Sequence, residues 1–110
     1  DGFWAGSTRP QTKAFVEAFQ KKFEGATPSI IEANAFDAAG MARRIIEGSH
    51  PQTRPAFREA LGAVKAYPGA TGDITFGPKR TAEKPLFYLT VDRAGLRELT
   101  PQELVAPGAG

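Results

Sequence analysis

Thr27-Pro28-Ser29-Ile30-Ile31-Glu32-Ala33-Asn34-Ala35-Phe36-Asp37-Ala38-Ala39-Gly40-Met41-Ala42-Arg43-Arg44-Ile45-Ile46-Glu47 is the stretch that decides the fold. Apolar side chains occupy most of the circumference of a helix drawn through it, and only Arg43, Arg44 and Glu47 form a clearly wet end. Thr27-Pro28 matches an N-cap followed by a first helical residue, and Gly48 supplies a stop. The many alanines let neighbouring backbones come close. A helix of this kind needs cover on several sides, so it is expected to lie on a sheet and under other elements.

Upstream, Pro10 suits a first helical turn, and Phe15, Phe19 and Phe23 recur at i, i+4 and i+8 with Val16 beside them. That spacing predicts an amphipathic helix with an aromatic core face, ended by Gly25. Ahead of it, Gly2-Phe3-Trp4-Ala5 reads as the end of a buried strand and Gly6-Ser7-Thr8 as a turn. Downstream, residues 49–54 form a polar connector. Pro55 opens a third helix whose buried face is Phe57, Leu61 and Val64, and Tyr67-Pro68-Gly69 breaks it. Ile74-Thr75-Phe76 reads as a short strand and residues 77–85 as a polar loop. Residues 86–91 alternate as a strand does, Asp92-Arg93-Ala94-Gly95 turns the chain, and residues 96–99 return beside it. Thr100-Pro101-Gln102-Glu103 matches a capping box and predicts one helical turn. Residues 106–110 are a tail. The resulting class is α/β, ordered strand, three helices, β-hairpin. One leading strand cannot supply the sheet that three helices require, so the chain reads as part of a larger fold.

Composition narrows the function. The 110 residues hold 14 basic and 12 acidic side chains, a net charge of +2. The basic residues are dispersed among acids, which removes the concentrated stripe that nucleic acid requires. With no cysteine, disulfides, thiolate metal sites and cysteine nucleophiles are all excluded. No apolar run approaches the ~18 residues that span a bilayer. The chain opens without Met, signal peptide or lipid-attachment cysteine, which reads as a trimmed or partial chain.

Four features in order carry a family resemblance. They are Gly2-Phe3-Trp4-Ala5 with its polar loop, and Phe15-Val16-Glu17-Ala18-Phe19 leading through Lys22-Phe23-Glu24-Gly25-Ala26-Thr27-Pro28. Then come Ala35-Phe36-Asp37-Ala38-Ala39, and Tyr67-Pro68-Gly69-Ala70-Thr71-Gly72-Asp73-Ile74-Thr75-Phe76. Over residues 2–99 the sequence resembles the C-terminal portion of type I periplasmic binding proteins of the leucine/isoleucine/valine-binding kind. It departs from them at Phe36, where the family usually has Tyr, and in residues 78–84, which lack the common acidic-Gly turn. The resemblance implies two α/β lobes closing on a ligand. Residues 1–80 would finish the first lobe, and residues 81–105 would cross toward the second.

The function so implied is non-catalytic capture of an amino acid or amide in the periplasm, shared with upstream segments and delivered to the membrane permease of an ABC importer. The alternative is an envelope lipoprotein domain of the same fold that regulates cell-wall synthesis, like the penicillin-binding-protein activators, with a penicillin-binding protein as partner. A strand-exchanged homodimer is a further expectation, because the faces of a partial fold would otherwise be bare.

The candidate ligand-binding residues are Trp4, Ile31, Glu32 and Asn34. By the resemblance Ile31 matches a cleft-facing apolar position, which a one-residue shift moves to Ile30 or Glu32. Glu32 and Asn34 either reach the cleft or occupy an exposed first turn, where an acid suits the helix dipole. Trp4 either lines the cleft, beyond a strand end, or packs in the core. Asp37, inside an apolar helix, requires partners, and a structural carboxylate binding backbone or an arginine is the favoured reading. His50, the single histidine, lies in a polar connector with no nucleophile placed beside it. Gly69 and Gly72 bracket a turn and lack the Lys-Ser or Lys-Thr of a phosphate cradle. Arg43-Arg44 and Lys79-Arg80 read as solvated pairs. No catalytic residue, metal ligand, cofactor or nucleic-acid partner is expected.

Overall fold

A computed structural model describes residues 2–105, so the tail expected at 106–110 lies outside the described residues. Three helices come first: α1 (Pro10–Lys22), α2 (Ile30–Ser49) and α3 (Arg54–Gly62). A small antiparallel sheet follows, with β1 (Tyr67–Gly69), β2 (Gly72–Phe76) and β3 (Ala82–Glu83) in that order. A separate hairpin of β4 (Leu89–Asp92) and β5 (Gly95–Glu98) leads into α4 (Pro101–Val105).

The expected strand at Gly2-Phe3-Trp4-Ala5 does not form. These residues run irregularly into the turn at Ala5-Gly6 and belong to neither described sheet. Phe3 is buried all the same, edge-on to Phe15 with ring centres 6.1 Å apart. The aromatic face of α1 is also shorter than its spacing predicts. Phe15 is buried and Phe19 partly so, but Phe23 is 51% exposed. The helix ends at Lys22 with Phe23 as its cap; the Phe23 ring still stacks on Phe19, centres 4.6 Å apart, but nothing buries its outer side, and Glu24 and Gly25 then take positive φ (52° and 86°).

The start of α2 is not Thr27-Pro28. Ser29 is the N-cap, its hydroxyl and N–H paired reciprocally with the first turn and the Glu32 carboxylate. This capping box satisfies end donors that a Thr27 cap would leave to solvent. The other end passes Gly48, and His50 takes the left-handed position at φ 47°. In α3, Thr53 accepts from Ala56 N–H at 3.2 Å, with Pro55 in the first turn. Its expected buried face, Phe57, Leu61 and Val64, is only half-buried.

Tyr67-Pro68-Gly69 does more than break α3. It pairs with β2 in the register Tyr67↔Ile74 and Gly69↔Gly72, leaving Ala70-Thr71 as a two-residue turn. Turns of this length match strand twist when their central residues take positive φ. Neither Ala70 nor Thr71 does; the turn is instead held from outside. Asp37, buried on α2, accepts from Ala70 N–H (2.6 Å), Thr71 N–H (3.0 Å) and the Thr71 hydroxyl (2.7 Å). From α1, the Thr12 hydroxyl donates to Ala70 O at 2.8 Å. Arg9 donates to Gly69 O at 2.5 Å and to Asp73 at 2.8 Å. Gly69 is required here, because a Cβ would stand 2.6 Å from Asp37 Oδ2. The core is accordingly small: Phe3, Phe15, Val16, Ala33 and Ala70, with Ala5 and Phe19 packed against it.

Much of the apolar surface stays open. A compact monomer of this mass exposes about 5900 Å², whereas 7911 Å² is exposed here. The radius of gyration, 16.5 Å, likewise exceeds the roughly 13 Å of a compact domain of this length. On α2 only Ala33, Asp37, Met41 and Ile45 are buried, while Ile31, Phe36 and Ile46 are open to solvent. The helix has the composition of a central helix, but only one of its faces is covered.

Replacing Asp37 by Ala strands two backbone donors and a hydroxyl, and is expected to cost on the order of 3 kcal/mol in the whole protein. Asp37→Asn keeps one acceptor oxygen and should cost less. Urea denaturation measures both. An Asp37→Ala midpoint equal to wild type would show that the turn holds itself.

Candidate functional site

The opening segment folds over itself. Ser7 N–H donates to Trp4 O at 3.1 Å, closing a turn, and Arg9 N–H donates to the Ser7 hydroxyl at 3.2 Å. Gly6 lies beneath the indole of Trp4, where a Cβ would be 2.8 Å from the ring. The half-buried Trp4, with Gly6 and Thr8, forms one wall of an open groove of about 560 Å³; residues 96–101 form the other. That volume suits a small ligand.

Arg97 organises the second wall. It donates to Asp92 (2.9 Å) and, through two nitrogens, to Glu103 (2.7 and 3.0 Å). Glu103 also accepts from Thr100 N–H at 2.8 Å and Thr100 Oγ1 accepts from Glu103 N–H at 3.3 Å, which completes the capping box expected at α4. The paired guanidinium and the Thr100 bonds pull the Glu103 carboxyl down to about 2, and the Arg97 guanidinium is held above its ordinary value by Glu103 and Asp92. Asp92 is lowered too, first by the Ala94 N–H and then by Arg97.

The other three candidates stand on the first turns of α2 and do not line this groove. Ile30 faces the opening segment, where a Cβ at Gly2 would lie 2.6 Å from its Cδ1. Ile31 points outward and is 75% exposed. Glu32 is engaged by Ser29, whose hydroxyl and N–H hold its carboxyl below the usual range. Asn34 accepts from Lys84 Nζ at 3.0 Å. Lys84 also donates to the Thr71 hydroxyl at 2.8 Å, so one ammonium ties the loop ahead of β4 to both α2 and the hairpin turn. Burial lowers its pKa, and the nearby Asp37 acts in the opposite sense. Lys84 was invisible to sequence reasoning, since its partners lie 50 and 13 residues away. Arg97 had a signal in the Thr100–Glu103 box, but nothing in the sequence announced the pairing.

Asp37 takes the structural role favoured from the sequence, with backbone N–H groups and a hydroxyl as its partners. His50 is an exposed helix cap. Among the described residues no group of three or more acidic or histidine side chains is placed to hold a metal ion. No described helix is long and apolar enough to cross a membrane.

A family model described as "Periplasmic binding protein" matches residues 1–96. The chain belongs to the periplasmic binding protein family. A solved structure from Rhodospirillum rubrum, provisionally assigned as a branched-chain amino acid ABC transporter, is 31% identical with a TM-score of 0.79 over 89% of this chain. The leucine-binding protein LivK from Thermotoga maritima shares the fold at 22% identity, with a TM-score of 0.69 over 86% of this chain. The chain spans 29% and 27% of those two proteins respectively. No curated protein sequence matches it. The α/β class and the type I resemblance therefore stand, and the elements above are those of part of a periplasmic binding protein fold.

Because the folded Glu103 pKa is lowered to about 2, the contribution of its bonds is complete above the ordinary glutamate range and is lost as pH falls through about 2. An NMR titration of the whole protein should find Glu103 still ionised after exposed glutamates have taken up their protons. Arg97→Gln should return it toward the ordinary range. An ordinary Glu103 titration in the wild type would mean that the Arg97 pairing does not persist in solution.

Proposed function

We propose that this chain forms part of one wall and the interlobe crossing of a solute receptor that closes on an amino acid or amide. The observation that carries the reading is the 31% identity, over 89% of the chain, to the Rhodospirillum rubrum protein assigned to branched-chain amino acid ABC transport. In this reading residues 1–80 complete the first lobe and residues 81–105 cross toward the second.

Capture of a small apolar solute has identifiable parts on this chain. Ile31 offers an uncovered aliphatic side chain at the start of α2, and Trp4 offers an aromatic wall. Asn34, steadied by Lys84, contributes an amide, and Glu32 the rim of the helix start. Charged ends of the solute are met by segments upstream of those described. Hinge closure then removes water from Ile31 and Trp4 together. The process needs binding and release and no bond chemistry. The receptor works in the periplasm or cell envelope, and its partner is the membrane permease of an importer.

Thermal melting of the whole protein against amino acids and amides tests this. A solute that binds the native state alone adds about 2.7 kcal/mol at a hundredfold excess over its dissociation constant. One apolar amino acid is expected to raise the midpoint, and Ile31→Ala is expected to weaken that solute about tenfold through lost burial. A cooperative melt that no amino acid or amide shifts would overturn the proposal.

A further inference from the structure

A second groove, of about 410 Å³, runs between α3 and the end of β2. It shares no residue with the Trp4 groove or the opening turns of α2. Pro55, Leu61 and Phe76 give it an apolar lining, Arg58 and Glu59 stand on the α3 side, and Arg80 stands on the loop side. Its size and its few polar groups over an apolar surface are those of a small-molecule site.

Arg80 is one of four non-glycine residues with positive φ among the described residues, with Glu24, His50 and Ala66. Its φ of 62° lies in the left-handed region, where a Cβ is costly and glycine sits freely. The turn is closed entirely by main chain: Arg80 N–H donates to Gly77 O at 3.0 Å, and Gly77 N–H donates to Thr81 O at 3.0 Å. The side chain takes no part in holding it. No ion pair among the described residues engages the guanidinium of Arg80 or of Arg58. An arginine standing where glycine would fold more easily, on one apolar groove with a second arginine outside any ion pair, points to a use for the two charges. Guanidinium groups stay charged at all working pH values and present planar donors that match carboxylate or phosphate oxygens.

We propose that this groove binds a small amphiphilic anion, its head between Arg58 and Arg80 and its hydrocarbon body on Pro55, Leu61 and Phe76. Glu59 opposes the head group and limits affinity. A free fatty acid and a lipid headgroup present the same chemistry.

Isothermal titration of sodium octanoate into the whole protein tests the site. Arg80→Gly is expected to weaken octanoate about tenfold or more, while its melting temperature holds or rises because the left-handed turn is relieved. Arg58→Gln should weaken binding similarly, and Glu59→Gln should strengthen it. Sedimentation with phosphatidylglycerol vesicles separates the sources. Octanoate binding without sedimentation identifies a free anion, and both together, each lost in Arg80→Gly, identify a headgroup. Octanoate heats unchanged by Arg80→Gly, sedimentation without octanoate binding, or neither signal would overturn the proposal. The amino-acid response of the Arg80→Gly protein is expected to match wild type, so failure of this groove and failure of the receptor reading are read separately.

Discussion

The carboxylate of Asp37 is the constraint on which the rest of the architecture depends. It sits 2% exposed on α2 and accepts from two successive backbone N–H groups and one hydroxyl of the Ala70-Thr71 turn. A buried carboxylate without donors would be costly, and a buried turn without acceptors would be as well. Each satisfies the other. The turn in turn fixes β1 against β2, and Thr12 and Arg9 grip its far side from α1. Two helices and a hairpin that meet in the small core of Phe15, Val16, Ala33 and Ala70 are thus also tied at one polar point. Lys84 extends the tie by donating to Thr71, so the loop that leads toward β4 is anchored there as well.

What could be read from the sequence followed local chemistry. Pro10, Pro55 and the Thr100–Glu103 box announced helix beginnings because start signals act within a few residues. The Asp92–Gly95 turn was legible for the same reason: Ala94 N–H donates to Asp92 at 2.8 Å and Gly95 takes φ 113°. The start of α2 was misread because Thr27-Pro28 and Ser29-x-x-Glu32 both match rules, and only the second satisfies donors reciprocally. Tyr67-Pro68-Gly69 reads locally as a breaker, because a strand this short is recognised by its pairing and not by composition. Of the candidate binding residues, the sequence placed three at the opening of α2. It did not show that Glu32 is held by Ser29 or that Asn34 meets Lys84.

The uneven covering of α2 has a simple physical reading. Its sequence is apolar around most of the helix, yet only the stripe through Ala33, Asp37, Met41 and Ile45 is buried. The chain spans under a third of the length of the two solved relatives. The hydrophobic effect is proportional to the area removed from water, and on this chain much of that area is still exposed. The stability of the described part accordingly leans on the polar tie at Asp37 more than a compact domain of the same size would.

The burial of the Ala70-Thr71 turn reverses a familiar rule about where a chain tolerates being cut or lengthened. Hairpin tips are ordinarily where insertions, circular permutations and protease nicks are accepted. Here both tip residues are at most 1% exposed and their amides are committed to a distant helix. An added residue would pull the donors off Asp37 and push side chains into α2. The permissive tip of this sheet is instead the next one along, where Pro78 and Lys79 lie open to solvent between β2 and β3. The length of the first hairpin is fixed by the reach of a single carboxylate.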